Sequence, residues 1–423
     1  MNAASSPREE VRVRRLGNGF TVALEPLPYL RTASFGLWVR AGSSSEDART
    51  AGAAHFLEHL FFKGTARRSV HELMAAVEGR GGYINASTGR EYTELYLRIP
   101  SHHVAAGMDI LAEIARESLF CDMEKERGVI LEEIASIEDS PEDLVFDLSA
   151  EAHWPDHPLG RPVAGTAASV SALTRDDIVN FYRAWYTPEN MVFSVSGGFD
   201  EADVMARAER LFGDWPAAAP PPFVSEPAFR AGASAAARPV SQAHLVLTFP
   251  GVSVSDPRYY TASLLANLLG GGSTSRLFER IREEEGLAYS VYASHNCYAR
   301  AGVFDVYEAV ARKHTRRALA LACAELRRAR TEPAPAEEVA TNREEIKGSM
   351  LMSLESSLSR AARAAKNLLF LGRVLDVGEV MAGFDAVTPE ALLEMAAETF
   401  TPDRCAFMAL LPRGMKPPEV DLS

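Results

Sequence analysis

The chain has 423 residues, 47% of them hydrophobic and 24% charged, a globular composition that excludes a disordered chain and fits two or three domains. Forty-four Lys and Arg against fifty-seven Asp and Glu give a net charge of −13, which argues against a nucleic-acid binder and for a soluble, cytoplasmic protein. No apolar run approaches the ~18 residues of a membrane span, so no membrane association is expected. The polar start MNAASSPREE does not read as a secretory signal. Cys121, Cys297, Cys323 and Cys405 form no C-x-x-C pair, which disfavours a disulfide framework or a cysteine zinc site.

In chain order, apolar alternation predicts strands at Val11–Arg15, Thr21–Leu24, Ser34–Arg40, Leu95–Ile99 and Met191–Val195. Helical periodicity predicts helices over 51–63, 69–80, 103–119, 124–138 and 174–185. The stretch 214–239 carries Pro216, Pro220, Pro221, Pro222 and Pro227, too many for a regular helix or a central strand. It is expected to link an N-terminal domain, 8–213, to a C-terminal domain, 240–415.

The two halves resemble each other. A shift of 208 positions lays Leu37-Trp38-Val39 on Leu245-Val246-Leu247, and 54–60 on 262–268. A shift of 212 lays Glu132-Glu133-Ile134 on Glu344-Glu345-Ile346. These offsets point to a duplication. The expected fold class is therefore α+β: two duplicated domains, each a mostly antiparallel sheet with helices packed on one face.

The segment Gly52–Gly64 carries the chemistry. Apart from His55, Glu58, His59 and Lys63 it is almost wholly apolar or small, so it should be a buried helix. His55 and His59 stand four apart on one face with Glu58 just before the second, giving H-x-x-E-H. Imidazoles at this spacing can reach one zinc ion while the carboxylate between them faces a water. Burying such a trio without a partner would be costly. The duplicate lacks it.

A catalytic zinc usually takes a third protein ligand, and the helix ERGVILEEIASIED at 126–139 offers one. At 100° per residue, Glu126 and Glu133 fall within the apolar arc of Val129, Ile130, Ile134 and Ile137, and Glu132 falls on the polar side. A solvated acidic helix accounts for Glu124, Glu132, Glu138 and Asp139, but not for Glu126 and Glu133.

Together these residues resemble the pitrilysin family of inverted-motif zinc peptidases (M16), which includes insulysin, the mitochondrial processing peptidase and bacterial homologues. The family places a ligand glutamate downstream of H-x-x-E-H and a second glutamate seven residues ahead of that ligand. Here Glu133 follows His59 by 74 positions, and Glu126 precedes Glu133 by seven. HFLEHLFFKGT at 55–65, GGYINASTGREYTELY at 81–96, HPLGRPVAGT at 157–166, WYTPENMVFSVSG at 185–197 and GGGSTSRLFERIREEEGLAYSVYA at 270–293 extend the likeness along the chain.

The resemblance implies one zinc per chain on His55, His59 and Glu133, with Glu58 as general base and Glu126 orienting His55 or His59. It implies that a peptide adds as a strand beside Asn85, Ala86 and Ser87. Arg282 and Tyr289 would act from the inactive half on substrate and oxyanion, with Gly286 ending the helix that bears Arg282. It also implies a homodimer and a closed chamber that admits flexible peptides. A dedicated processing peptidase, or the active subunit of a hetero-oligomer, are the alternatives.

Overall fold

A computed structural model describes residues 10–219 and 224–423; Pro220, Pro221 and Pro222 of the expected linker lie outside them. The strands are β1 Arg12–Arg15, β2 Thr21–Pro26, β3 Thr32–Val39, β4 Tyr83–Thr88, β5 Thr93–Pro100, β6 Met191–Gly197, β7 Gly232–Arg238, β8 Gln242–Gly251, β9 Ala288–Cys297, β10 Gly302–Ala311 and β11 Ala406–Pro412. The helices of the first part of the chain are α1 Ala53–Phe61, α2 Val70–Glu78, α3 Val104–Glu117, α4 Met123–Asp139, α5 Pro141–His153, α6 Ala167–Ala172, α7 Arg175–Trp185 and α8 Glu201–Phe212. They are followed by α9 Tyr259–Gly270, α10 Thr315–Thr331, α11 Ala336–Ser353, α12 Ser357–Leu371, α13 Val377–Asp385 and α14 Pro389–Thr399. Local signals start several of these. Ser69 and Glu72 cap α2 reciprocally, as Thr174 and Asp177 cap α7.

The first sheet has the order β1-β2-β6-β3-β5-β4, antiparallel throughout except for the parallel pair β2–β6. Strand β3 is buried on almost its whole length, as a strand covered on both faces must be. Phe35 faces α3, where a side chain on Gly107 would meet the Phe35 ring at 2.8 Å. The opposite face carries Trp38, which packs with Ala23 and Val192 against Ala361, Ala364 and Ala365 of α12. Buried Ser34 and Ser357 share a hydrogen bond of 2.8 Å, and Arg360 donates to buried Glu25 at 2.8 Å. Truncating fully buried Trp38 would cost about 3–5 kcal/mol.

The second sheet has the order β7-β11-β8-β10-β9, with β7–β11 its parallel pair. Leu245, Leu247, Phe304 and Val306 pack with α9, α10 and α14 on one face. Val246, Tyr307, Met408 and Leu410 pack with Leu144 and Val145 of α5 on the other. Most helices thus gather on one face of each sheet, and one further helix covers the opposite face.

Those further helices come from the other half of the chain. The compact units are Met1–Ile134, Pro162–Val224 and Met352–Leu375 for the first, and Ala135–Arg161, Ser225–Leu351 and Asp376–Ser423 for the second. The contiguous domains expected at 8–213 and 240–415 follow the order of the strands but not the packing, because α5 and α12 each bury their apolar face on the sheet of the opposite half. The expected linker also holds more structure than its prolines suggest. Between Pro227 and Pro239 no proline interrupts the chain, and the small residues of β7 form an exposed edge strand there. Among the described residues, no helix is long and apolar enough to cross a membrane.

Candidate metal centre

Helix α1 is fixed at its start by backbone rather than by a side-chain cap of its own. Gly52 has φ of +94°, and a Cβ there would stand 2.7 Å from the Ala164 carbonyl oxygen, so this position favours glycine. The buried carboxylate of Glu46 accepts from the backbone N–H groups of Gly52 at 2.8 Å and Ala54 at 2.7 Å. An acid at this end also meets the positive end of the helix dipole. Ala53, Ala54, Phe56, Leu57, Leu60 and Phe61 bury the rest of the helix, which leaves His55, Glu58 and His59 on its remaining side.

The His55 and His59 rings lie 4.8 Å apart at 69° to each other. Glu133 reaches both from α4: its Oε1 is 3.6 Å from His55 Nε2 and its Oε2 is 3.5 Å from His59 Nε2. The ligand atoms of the three residues lie within 4.8 Å of one another, and among the described residues no other group of His, Cys, Asp and Glu is gathered in this way. A tetrahedral ion with ligands at about 2.0–2.2 Å separates its ligand atoms by about 3.3–3.6 Å. The donor set and its spacing therefore fit zinc. Burial holds the His55 imidazole below its usual pKa and His59 adds to this, while Glu133 and Glu58 oppose it. His55 is thereby kept neutral, the form that ligates. Its Nδ1 is buried and has no hydrogen-bond partner among the described residues.

Around these three stand the supporting groups. Glu126, buried, places Oε2 at 3.4 Å from His59 Nδ1 and Oε1 at 2.9 Å from Lys63 Nζ. Of the two histidines that Glu126 was expected to serve, it touches His59. Glu58 accepts a hydrogen bond of 2.6 Å from the Thr88 hydroxyl through Oε2. The helical wheel placed Glu133 within the buried stripe of α4, but its side chain is 43% exposed. The stripe is narrower than expected, comprising Glu126, Ile130 and Ile134, with Val129 exposed. Glu133 sits at its margin, beside the histidines. Glu132 is exposed, as expected.

Strand β4 ends its sheet and, among the described residues, pairs only with β5, with Asn85 and Ser87 exposed and Ala86 buried between them. Arg282 and Tyr289 belong to the second compact unit, where they touch each other. Arg282 donates to the Tyr289 carbonyl at 2.7 Å, and its guanidinium lies 4.8 Å from the Phe278 ring centroid and 5.3 Å from that of Tyr289. It rides on a single stretch of π-helix, Phe278–Glu284, after which Gly286 takes φ of +61°. Tyr289 is 76% exposed. Glu46, Lys63 and Thr88 escaped the sequence reading. A buried acid a few residues ahead of a glycine-started helix was the available signal for Glu46.

Comparison with known proteins identifies the family and the fold. Residues 21–167 match the family model for insulinase (peptidase family M16), and residues 172–346 match the model for the peptidase M16 inactive domain. A Bacillus subtilis (strain 168) protein named as an uncharacterized zinc protease, YmxG, is 34% identical over 95% of this chain and 98% of its own. A Streptomyces coelicolor protein, also named as an uncharacterized zinc protease, is 35% identical over 92% of this chain and 87% of its own. The crystal structure of a peptidase M16 inactive domain from Pseudomonas fluorescens superposes with a TM-score of 0.90 at 20% identity, covering 97% of this chain and 99% of that one. That of a Helicobacter pylori protease gives 0.89 at 21%, covering 96% and 100%. The chain belongs to peptidase family M16, and its two sheet-and-helix units have the fold of these neighbours.

Proposed function

We propose that the protein is a zinc-dependent endopeptidase of oligopeptides or unfolded polypeptide segments, with one zinc per chain held by His55, His59 and Glu133. The observation that carries this reading is the convergence of ligand atoms from α1 and α4 within 4.8 Å of one another, beside a carboxylate, Glu58, that lies outside the ligand set. The relatives named as zinc proteases support it.

Bound there, the ion supplies positive charge that acidifies a water and polarises a peptide carbonyl. The remaining work falls to the chain. Glu58 accepts the proton of the attacking water and returns it to the leaving amine. Glu126 holds His59 through Nδ1, so that Nε2 faces Glu133, and Lys63 balances the buried charge of Glu126. The free edge of β4 at Asn85, Ala86 and Ser87 takes the substrate as an added strand, which asks for extended backbone rather than a particular sequence. Arg282 and Tyr289 act on the substrate and the developing oxyanion. Because main-chain pairing demands a flexible peptide, the reading includes a closed chamber that excludes folded proteins, built by a homodimer.

Metal analysis should find about one zinc per chain. Glu58→Gln should keep the zinc and lose turnover of an unstructured peptide by roughly 10²- to 10⁴-fold. Wild-type turnover in that variant would overturn the assignment. In the same assay Arg282→Ala and Tyr289→Phe should keep zinc and slow cleavage, and the same sequence within a folded protein should resist. Light scattering should return twice the chain mass.

A further inference from the structure

We infer that Thr88 is a positioning residue for peptide hydrolysis, its hydroxyl holding the Glu58 carboxylate so that one oxygen is fixed and the other is free to take the proton. The inference rests on the reading of Glu58 as the base. Thr88 Oγ1 donates to Glu58 Oε2 at 2.6 Å, within the short range of hydrogen bonds to ionised acceptors. A glutamate side chain left to itself samples many rotamers, and ordering it costs free energy. Pinning Oε2 leaves Oε1 as the oxygen available for proton transfer.

The donor is well placed to do this. Threonine is β-branched and therefore stiff about χ1, and Thr88 stands opposite Thr93 at the end of β4. Beyond it the chain is tied down by backbone hydrogen bonds. Gly89 N–H donates to the Tyr92 carbonyl at 2.8 Å, Ser43 N–H to the Gly89 carbonyl at 3.2 Å, and Ser44 N–H to the Arg90 carbonyl at 2.7 Å. A hydroxyl on such an anchored strand end holds its partner far better than one on a free loop. Residue 88 also belongs to the strand whose outer edge takes the peptide in the proposed mode. Asn85 and Ser87 point to one side of β4, and Ala86 and Thr88 to the other. One short strand would then set the register of the peptide and the orientation of the base together.

The test measures zinc content and steady-state cleavage of an unstructured peptide by wild type, Thr88→Val, Thr88→Ser, Glu58→Gln and the double variant Glu58→Gln/Thr88→Val. Valine keeps the shape and removes the hydroxyl. Thr88→Val should retain zinc, lower kcat by roughly 10- to 100-fold, the size expected for a hydrogen bond to a charged group, and leave KM within about twofold. Thr88→Ser should recover most of kcat. The double variant should be no slower than Glu58→Gln alone, because a hydroxyl that acts through Glu58 has nothing left to position. Wild-type kcat in Thr88→Val, or equal further slowing in the Glu58→Gln background, would overturn the role of Thr88 while Glu58 stands. Wild-type turnover in Glu58→Gln would remove the base itself, and the inference with it.

Discussion

Two helix pairs in this molecule share one framework and differ in what they can do. In the first unit, α1 and α4 bring His55, His59 and Glu133 around a gap of ionic size. In the second, α9 and α11 repeat the pattern at offsets of 208 and 212, which place Ser263, Ala266, Asn267 and Glu345 at the positions of His55, Glu58, His59 and Glu133. Contact between the last two positions survives in altered form. Asn267 Nδ2 donates to Glu345 Oε2 at 3.1 Å and to Asn342 Oδ1 at 2.9 Å. An amide donor thus meets the carboxylate directly, where His59 offers a lone pair. Ser263 and Ala266 supply neither imidazole nor base. The backbone was kept and the chemistry was decided by a few side chains, which agrees with the match of residues 172–346 to the model for an inactive domain.

The sharpest way to break this comparison is to remove the carboxylate that closes the first gap. Glu133→Ala should lose zinc on dialysis, with activity falling in parallel, because two imidazoles alone make a poor site. Glu132→Ala, one residue away and exposed, should keep wild-type zinc content. The reverse result would mean that α4 presents a different face to the histidines.

How far this was legible in the sequence depended on range. His55, Glu58 and His59 show themselves because helix geometry converts a spacing of three and four residues into one face. Glu126 shows itself because an acid within an apolar stripe needs a reason, whereas Glu133 lies only at the margin of that stripe, with its side chain 43% exposed. Thr88 could not be read this way. Its partner is 30 residues distant, and a lone threonine near the end of an edge strand has many ordinary uses. Helix α5 was missed because few of its residues, among them Leu144 and Val145, form its apolar anchor. That anchor packs on β8 and β11, a pairing no local pattern announces. The same long-range packing hid the exchange of α5 and α12 between the halves.

The sheets offer a second contrast. Leu95 faces Leu37 in the first, and the matching place opposite Leu245 in the second holds Glu308. Glu308 is almost completely buried, and among the described residues neither carboxylate oxygen has a hydrogen-bond partner. Burial pushes its pKa up to about 8, so the folded protein holds this proton more tightly than the unfolded chain does. The associated stability is therefore fully present in acid. It falls between the ordinary carboxyl range and about pH 8, by about 1.4 kcal/mol per pH unit. Glu308→Leu should stabilise the protein by about 1–4 kcal/mol near pH 8 and by less at pH 5. Glu308→Gln should flatten the dependence. Thermal unfolding of the full chain at both pH values measures this, and an equal Tm change at pH 5 and 8 would show that the carboxyl ionises in the folded protein as readily as in the unfolded chain.

The smallest expected effect tests the idea that the second helix pair is a framework without chemistry. Glu345→Ala deletes the counterpart of Glu133 but should leave zinc content and peptide turnover unchanged, since Asn267 and Ser263 do not form the ligand set found on α1. Its cost is structural. Glu345 is exposed, so the Asn267 hydrogen bond it loses competes with water and is worth about 1 kcal/mol or less. Asn267 Nδ2 keeps Asn342 Oδ1 as a second acceptor, which limits the loss further. Thermal unfolding should therefore move by no more than a few degrees, with metal analysis of the same sample at the wild-type value. Loss of zinc in Glu345→Ala would place the ion on the second helix pair and reverse the comparison between the two.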